Sequence, residues 1–381
     1  MDEVDLPDED EVALADPPEQ TGARSGGLDG DDPLVLTAAE IAAAEGPEGK
    51  GPEDEHRGGT ADAEVARLVS SLPQVDETTP LAREVAADAR RRLSLQGRPL
   101  PRPARTRVLT VANQKGGVGK TTTTVNLAAA LAQAGARVLV LDADPQGNAS
   151  TALGVEHHAE VAGLYDVLVD GVPLEDVLQE CPDVPGLACV PATIDLAGAE
   201  IELVSMVARE TRLRSAVAGY LARRASAGEA PPDYVFVDCP PSLGLLTLNA
   251  FVCAEEVLIP IQCEYYALEG VSQLLKNISM ITQHLNPVLH VSSILLTMFD
   301  GRTRLAAQVA DEVRTHFPRE VLTTTVPRSV RVSEAPSYGQ TVMTYDPGSS
   351  GALSYLAAAQ ELAERPVRPA EQDLTTSGSR R

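Results

Sequence analysis

A glycine-rich stretch between two lysines has the residue types and spacing best suited to chemistry in this sequence. It reads K-G-G-V-G-K-T and runs from Lys115 to Thr121. Glycines permit positive φ, so successive backbone N–H groups can face one anionic point, and a helix beginning directly afterwards points the positive end of its dipole there. A polyphosphate fits such a loop. Lys120 would reach its β- and γ-phosphates, and the Thr121 hydroxyl would take one position around an octahedral Mg²⁺.

The stretch departs from the pattern G-x-x-x-x-G-K-[ST] at its first position, where Asn113 or Gln114 stands in place of glycine. It carries instead a second lysine, Lys115, ahead of the glycines. A plain glycine turn requires neither two lysines nor a Lys-Thr pair before a helix. Because strand, loop and helix follow in the required order, we interpret the stretch as an unusual phosphate loop.

Acidic side chains follow two further apolar runs. Asp142 and Asp144 come directly after RVLVL, and Asp238 comes directly after YVFV. A carboxylate beyond an apolar strand is what the Mg²⁺ site of a phosphate-loop enzyme requires. Each aspartate alone could equally belong to a turn or a helix cap, but three such signals in this order indicate a Mg²⁺-nucleotide site.

Alternating strands and helices must position these residues. We predict strands over the apolar runs 108–112, 137–141, 234–237, 256–261 and 292–296. We predict helices over the stretches 124–134, 164–169, 196–208, 215–225, 269–284, 304–316 and 350–363. This alternation predicts an α/β fold, a doubly wound and mostly parallel sheet with helices on both faces and ligands at the carboxyl ends of its strands.

Composition divides the chain into four parts. Of the net charge of −24, residues 1–80 carry −18, from 22 acidic and 4 basic side chains. That segment has few large apolar residues and is predicted to be a disordered acidic extension. Residues 81–106 form a basic, proline-rich linker, 107–365 the folded domain and 366–381 a disordered tail. Because the acidity lies mainly in the extension, it does not exclude a basic surface that faces DNA.

Cysteine usage and the N-terminus indicate the compartment. The five cysteines form no C-x-x-C pair and are odd in number, so we expect buried free thiols rather than disulfides or a metal site. The N-terminus, MDEVDLPDEDE, is too acidic for a signal peptide, and the chain has no run of 18 apolar residues. We expect a cytosolic protein that does not span a membrane.

Seven stretches together resemble the ParA/Soj chromosome-partitioning ATPases, which belong to the deviant Walker A class that also contains MinD. These stretches are KGGVGKTTT, LDADPQGNAS, ATIDLAGAEIEL, DCPPSLGLLTLNA, PIQCEYYALEG, LLTMFDGRTRLA and VPRSVRVSEAPSYGQ. The resemblance covers about residues 107–365 and is specific, because phosphate-loop proteins in general do not share the blocks after Asp238. It implies a cytoplasmic, nucleoid-associated ATPase that binds ATP and Mg²⁺ and hydrolyses ATP slowly.

The resemblance also implies roles for individual residues. Lys115 would cross the interface of an ATP-bound homodimer to reach the partner's phosphates, and Asp144 would position or activate the attacking water. The residues expected to bind the phosphates are Gly116, Gly117, Val118, Gly119, Lys120 and Thr122. The residues expected at or around Mg²⁺ are Thr121, Asp142 and Asp238. Met298 and Pro327 match positions that line the adenine site.

DNA and protein partners follow from the same resemblance. Members of this family bind DNA without sequence preference as ATP dimers, and a ParB-type protein stimulates their hydrolysis. The matching basic residues here are Arg302, Arg304, Arg328 and Arg331. A few arginines per subunit suffice once dimerisation doubles their number, and such binding weakens strongly with salt.

Three alternatives stay open at the level of sequence. A MinD-like membrane-cycling ATPase shares both lysines, but it needs an amphipathic C-terminal helix, whereas this chain ends in PVRPAEQDLTTSGSRR. A plasmid-partition version of the same enzyme is the second alternative, although the core most resembles actinobacterial chromosomal versions. The third is a scaffold that binds nucleotide without hydrolysis, and the intact Lys120, Thr121, Asp144 and Asp238 argue against it.

Overall fold

The computed structural model describes residues 100–264 and 267–366. The extension predicted over 1–80, the linker before residue 100 and nearly all of the predicted tail lie outside the described residues. The domain boundaries predicted for those parts therefore stay predictions.

One eight-stranded sheet organises the described chain. Its strands are β1 (Arg107–Val111), β2 (Val138–Asp142), β3 (Gln179–Glu180), β4 (Leu187–Val190), β5 (Tyr234–Asp238), β6 (Glu256–Gln262), β7 (His290–Phe299) and β8 (Val321–Pro327). They lie in the order β3-β4-β2-β5-β1-β6-β7-β8. All neighbours are parallel except β3 and β4, which are antiparallel. The prediction of a doubly wound, mostly parallel sheet is confirmed.

Helices cover both faces of this sheet. They are α1 (Lys120–Gln133), α2 (Asn148–Ala152), α3 (Leu164–Leu168), α4 (Leu174–Val177), α5 (Leu196–Glu202), α6 (Arg212–Ser226), α7 (Leu245–Cys253), α8 (Ala267–His284), α9 (Arg304–His316), α10 (Val330–Glu334), α11 (Val342–Tyr345) and α12 (Ser350–Glu364). Short 3₁₀ turns occupy Leu203–Ser205 and Ala335–Tyr338.

The core consists of two apolar layers, one on each face. Successive strand residues point to opposite faces, so Leu139 and Leu141 of β2 join one layer while Val138 and Val140 join the other. The first layer includes residues of α3, α6, α7, α8 and α9, and the second includes α1, α2, α11 and α12. Since both faces are covered, the central strands read as continuous apolar runs, which is typical of parallel sheets.

The strand order brings the predicted acidic positions together. Strand β5 lies between β1 and β2, and the pairing register sets Asp238 opposite Val111 on one side and Asp142 on the other. The phosphate loop leaves the carboxyl end of β1, so these strand ends meet where α/β sheets bind their ligands.

Residues 100–106, at the end of the predicted linker, contact residues that lie just before β2, β5 and β6 in the sequence. Arg102 donates to the Gly135 carbonyl at 2.8 Å, and the Thr106 hydroxyl donates to the Pro232 carbonyl at 2.7 Å. Arg105 forms an ion pair with Glu255. These seven residues thus follow the surface of the domain rather than leading freely away from it.

All five cysteines are free and buried, as expected from the sequence. Burial raises their thiol pKa values, and for Cys181 the pKa reaches about 12. These thiols therefore stay protonated and unreactive at neutral pH.

Candidate nucleotide-binding site

The predicted phosphate loop forms the turn between β1 and α1. Gly117 and Gly119 adopt left-handed φ values of 71° and 87°, which explains the need for glycine at these two positions. Gly119 is the cap residue before α1, and its carbonyl accepts the backbone N–H of Thr123 at 2.8 Å. The N-terminal N–H groups of α1 and the positive end of its dipole therefore belong to the loop itself, as an anion site requires.

Lys120 places a cation inside this loop. The residue is only 6% exposed, and its Nζ donates to the Lys115 carbonyl at 3.4 Å. Burial lowers the pKa of Lys120, while the charges of Asp238 and Asp144 act in the opposite direction. A buried ammonium with one long hydrogen bond to a carbonyl is suited to an anionic partner such as a phosphate.

Asp238 lies beneath the loop and is fully buried. Its two carboxylate oxygens accept hydrogen bonds from the hydroxyls of Thr121, at 2.7 Å, and Thr124, at 2.9 Å. Burial raises the pKa of Asp238, and the neighbouring charge of Asp142 raises it further. The carboxylate thus orients the predicted Mg²⁺ ligand Thr121 through a direct hydrogen bond.

Asp142 is the buried neighbour of Asp238 across the strand pair, and it contacts α2. One of its oxygens accepts both the backbone N–H of Ser150, at 2.8 Å, and the Ser150 hydroxyl, at 2.7 Å. The other accepts the backbone N–H of Asp144 at 3.2 Å. Burial raises the pKa of Asp142. In this arrangement Asp142 fixes the loop that carries Asp144.

Asp144 lies at the edge of the cavity above these groups. The residue is 7% exposed and lines the cavity together with Lys120. Its Oδ1 accepts the backbone N–H of Gln146 at 3.1 Å, and its carbonyl accepts the N–H of Gly147 at 2.9 Å. The tight turn leaves the carboxylate facing the same space as the phosphate loop.

Lys115 is paired within its own chain. Its Nζ lies 2.8 Å from Glu264 Oε2, and both side chains are partly exposed. The backbone N–H of Lys115 donates to the Asn113 side chain at 3.0 Å, and Asn113 donates to the Pro260 carbonyl at 2.8 Å. Asn113 is one of the two residues that can occupy the first glycine position of the usual pattern. Through these two hydrogen bonds it connects the loop to β6.

The phosphate loop opens into a cavity of about 470 Å³. Predicted residues in its lining are Gly116, Gly117, Gly119, Lys120, Thr121, Thr122, Asp144 and Met298. Val118 is buried beneath the loop. Pro327 ends β8 beside Phe299, outside the lining as far as the described residues go.

The sequence-based prediction did not include one side of this cavity. That side is formed by residues 330–345, which we call the wall segment. Four of its residues line the cavity, namely Val332, Pro336, Gln340 and Val342. Asn126 of α1 holds the segment in place, since its Oδ1 accepts the backbone N–H of Val342 at 2.8 Å. The wall segment overlaps the block VPRSVRVSEAPSYGQ, so resemblance offered a signal that residue chemistry alone did not.

The wall segment also contacts the end of α2 directly. Gly154, with φ 67°, follows α2, and a Cβ built there would lie 2.9 Å from the Gly339 carbonyl oxygen. Gly339 itself has φ 66° and forms the left-handed cap after the second 3₁₀ turn. Two glycines thus bring the two backbones into contact.

The four predicted DNA-binding arginines are all exposed, but acidic residues lie among them. Arg302 pairs with Asp300, whose pKa is lowered by that hydrogen bond and further by the charge of Arg328. Arg304 begins α9. Arg331 lies 3.3 Å from a Glu334 oxygen and 3.4 Å from an Asp346 oxygen.

Neither a cluster of metal-ligating side chains nor a membrane-spanning helix is present in the part of the chain that the structure describes. Within residues 100–264 and 267–366, no group of three or more His, Cys, Asp or Glu side chains could enclose a metal ion. Among the described helices, none has the length and apolar character needed to cross a bilayer.

Comparison with known proteins identifies clear relatives. A family described as "AAA domain" matches residues 106–291. The sporulation initiation inhibitor protein Soj of Bacillus subtilis is 50% identical over 257 residues, which are 68% of this chain and 98% of the Bacillus protein. The chromosome partitioning protein ParA of Myxococcus xanthus is 51% identical over 259 residues, 68% of this chain and 88% of that protein.

A solved structure shares the fold and much of the sequence. Cobyrinic acid a,c-diamide synthase from Mycobacterium smegmatis, with bound ADP and magnesium, has a TM-score of 0.57 and 37% identity. The match covers 67% of this chain and 93% of that one. Another structure of the same protein contains an ATP analog and magnesium.

Proposed function

The chain belongs to the ParA/Soj family of chromosome-partitioning ATPases, and from this membership we propose that it separates DNA copies as an ATP-dependent dimer. The observation that carries the nucleotide-binding part of this proposal is the position of Lys120. This buried ammonium lies in a loop of N–H donors, beside the Thr121–Asp238 hydrogen bond and the Asp144 carboxylate. Such a set of groups is arranged for a Mg²⁺-bound polyphosphate.

ATP with Mg²⁺ is the ligand that fits these residues. The loop N–H groups and Lys120 would hold the phosphates, with Thr122 at a phosphate oxygen, and the Thr121 hydroxyl would bind the metal. Asp238 orients that hydroxyl and Asp142 keeps the Asp144 loop in place, so both would support the metal through other residues. The bound Mg²⁺ supplies charge neutralisation at the phosphates. Met298 and the wall segment, with Pro327 further out, would surround the base.

Hydrolysis needs an oriented water rather than a covalent step on the protein. Asp144 is the carboxylate at the cavity edge, and its turn keeps it facing the phosphate loop. We assign to it the positioning of the attacking water. Lys120 stabilises negative charge on the phosphates, and no side chain has to bond to phosphorus. Slow turnover, accelerated by a ParB-type partner, suits a timing role.

Dimerisation and DNA binding complete the proposed cycle. Lys115 would reach the phosphates bound by a second copy, exchanging its Glu264 contact for them. DNA would be held without sequence preference by Arg302, Arg304, Arg328 and Arg331 from both subunits. The protein would then work in the cytoplasm on the nucleoid, with the chromosome as cargo.

The test is DNA binding by the purified full-length protein with ATP, with ADP and without nucleotide. Several unrelated duplexes are compared at two salt concentrations. We expect binding only with ATP, similar on every duplex and weakened by salt. Absent DNA binding together with ATP-dependent attachment to liposomes would contradict the proposal and favour the membrane-cycling branch of the class.

A further inference from the structure

Thr297, near the end of β7, supports the phosphate loop from below. Its hydroxyl donates to the carbonyl oxygen of Val118 at 2.8 Å. Thr297 is 3% exposed and Val118 is 1% exposed, so water does not compete for this hydrogen bond. The bond joins two residues that are 179 positions apart in sequence.

The hydrogen bond fixes the orientation of the peptide group between Val118 and Gly119. A peptide bond is planar and trans, so its C=O and N–H point in opposite directions. With the Val118 oxygen held towards Thr297, the Gly119 N–H must point away from β7. Gly119 itself lines the nucleotide cavity. Its N–H is thus directed to the cavity side of the loop.

Thr297 lies in the regular part of β7, opposite Gln262 of β6. In a regular strand, consecutive side chains point to opposite faces. Met298 has φ 50°, a left-handed conformation that is strained outside glycine. The register of β7 with β8 shifts between Leu296 and Phe299. By the alternation of side chains along β7, Thr297 shares the face of Leu295, which belongs to the apolar layer that includes α1. The irregular residue that follows it, Met298, lines the cavity.

We propose that Thr297 is a positioning residue for phosphate binding, acting by turning the Gly119 N–H towards the phosphates. The proposal rests on the nucleotide site argued above and adds to it a residue outside the phosphate-loop motif. Without the hydroxyl, the peptide between Val118 and Gly119 can rotate, and the loop loses one oriented donor.

Substitutions at Thr297 test the role. Thr297→Val keeps the shape and removes the hydroxyl, whereas Thr297→Ser keeps the hydroxyl. The matched control is Thr110→Val, because the Thr110 hydroxyl is equally buried and donates to the Ala250 carbonyl at 2.9 Å, away from the loop. Each variant binds a fluorescent ADP, which is then displaced with tripolyphosphate, a probe that contains only the phosphate part. Thermal unfolding is measured alongside.

We expect Thr297→Val to bind tripolyphosphate about 3- to 10-fold more weakly, the value of one hydrogen bond. Thr297→Ser and Thr110→Val should bind like the wild type, although Thr110→Val should unfold at a lower temperature. Wild-type affinity in Thr297→Val, or an equal loss in Thr110→Val, would overturn the role of Thr297 alone. A wild-type chain that binds neither ADP nor tripolyphosphate would overturn the nucleotide site and this inference together.

A second measurement does not depend on the folding of any variant. In wild-type protein labelled with ¹⁵N-glycine, tripolyphosphate should shift the Gly119 amide resonance strongly. It should leave the amide resonance of Gly228, which lies outside the cavity lining, unshifted. An unshifted Gly119 resonance at saturating tripolyphosphate would overturn the proposal.

Discussion

At the scale of single residues, the roles proposed for Asp144 and Lys120 separate turnover from nucleotide binding. The Asp144 carboxylate lines the cavity, and we assign the phosphate contacts to the loop and Lys120. Asp144→Ala should therefore keep ATP and DNA binding while lowering the hydrolysis rate by about 10²-fold or more. The dimer should then stay on DNA. Phosphate release and DNA retention measure the two effects.

The matched control is Asp176→Ala, which removes an exposed aspartate of α4 outside the cavity lining. Its turnover should equal that of the wild type. Retained turnover in Asp144→Ala would remove Asp144 from its assigned role.

Lys115 leads to a second prediction, because its ion pair with Glu264 holds it within one chain. Lys115→Ala should bind ATP and remain monomeric. Glu264→Gln should release the lysine and lower the protein concentration needed for the ATP dimer, by at most about 5-fold, since an exposed pair contributes about 0–1 kcal/mol. Sedimentation of ATP-bound protein over a concentration series measures both effects.

Glu175→Gln is the control for Glu264, since it breaks another exposed ion pair, with Arg223, outside the cavity lining. It should dimerise as the wild type does. A Lys115→Ala protein that still dimerises with ATP would show that the lysine does not act across subunits.

At the scale of elements, the ends of β2 and β5 set two buried carboxylates side by side. Burial raises the pKa of Asp142 to about 6 and, with the charge of Asp142, that of Asp238 to about 8. Both values exceed the unfolded value near 4. The folded chain therefore binds more protons than the unfolded chain between about pH 4 and pH 8, and its free energy of unfolding falls as the pH rises.

The third prediction follows from this fall of the unfolding free energy with rising pH. Without nucleotide and Mg²⁺, urea should unfold the protein at a lower concentration at pH 8 than at pH 6. Asp142→Asn removes one carboxylate and its repulsion of the other, so the midpoint should fall less over the same range. Equal pH dependence in the two proteins would mean that this pair does not set the slope.

The helices and strands also show how much of the fold is predictable from the sequence. The loop, α1 and the acidic strand ends were predictable because local chemistry marks them. The prediction omitted α7, whose sequence LLTLNAFVC is apolar almost throughout, so burial on several sides removes the helical period. It omitted β4 and β8 as well, since one has four residues and the other carries three threonines and ends in proline. The helix predicted over 196–208 ends at Glu202 and continues as a 3₁₀ turn.

Partners within the site were harder to predict than its motif residues. Ser150, Thr124 and Thr297 contact Asp142, Asp238 and the phosphate loop through neutral hydroxyls inside regular elements. Ser150 and Thr297 lie in the blocks LDADPQGNAS and LLTMFDGRTRLA that carry the family resemblance, but their residue type alone does not distinguish them from other buried hydroxyls. Their partners are defined by the order of the strands, which local patterns do not encode.

At the scale of the whole molecule, charge is unevenly distributed along the chain. Residues 1–80 carry −18 of the total −24. We expect this extension to compete with DNA for the arginines of the folded domain. A chain lacking residues 1–80 should bind DNA more tightly than the full chain at low salt, and the difference should shrink as salt screens both interactions.

Filter binding with ATP at several salt concentrations measures that difference. A deletion of the tail, residues 366–381, is the control, because its three arginines and two acidic residues give a net charge of only +1. It should change affinity little. If removal of residues 1–80 leaves DNA affinity unchanged from low to high salt, the extension does not compete.

The contact between Gly154 and Gly339 has a mechanical consequence. Backbone meets backbone there, with no side chain that could change rotamer and absorb a displacement. A shift of α2 towards the wall segment has to push that segment along or stop. The loop that carries Asp144 leads into α2, and the wall segment lines the far side of the cavity. We therefore expect the two sides of the cavity to move together, so that a displacement of α2 also displaces the wall segment.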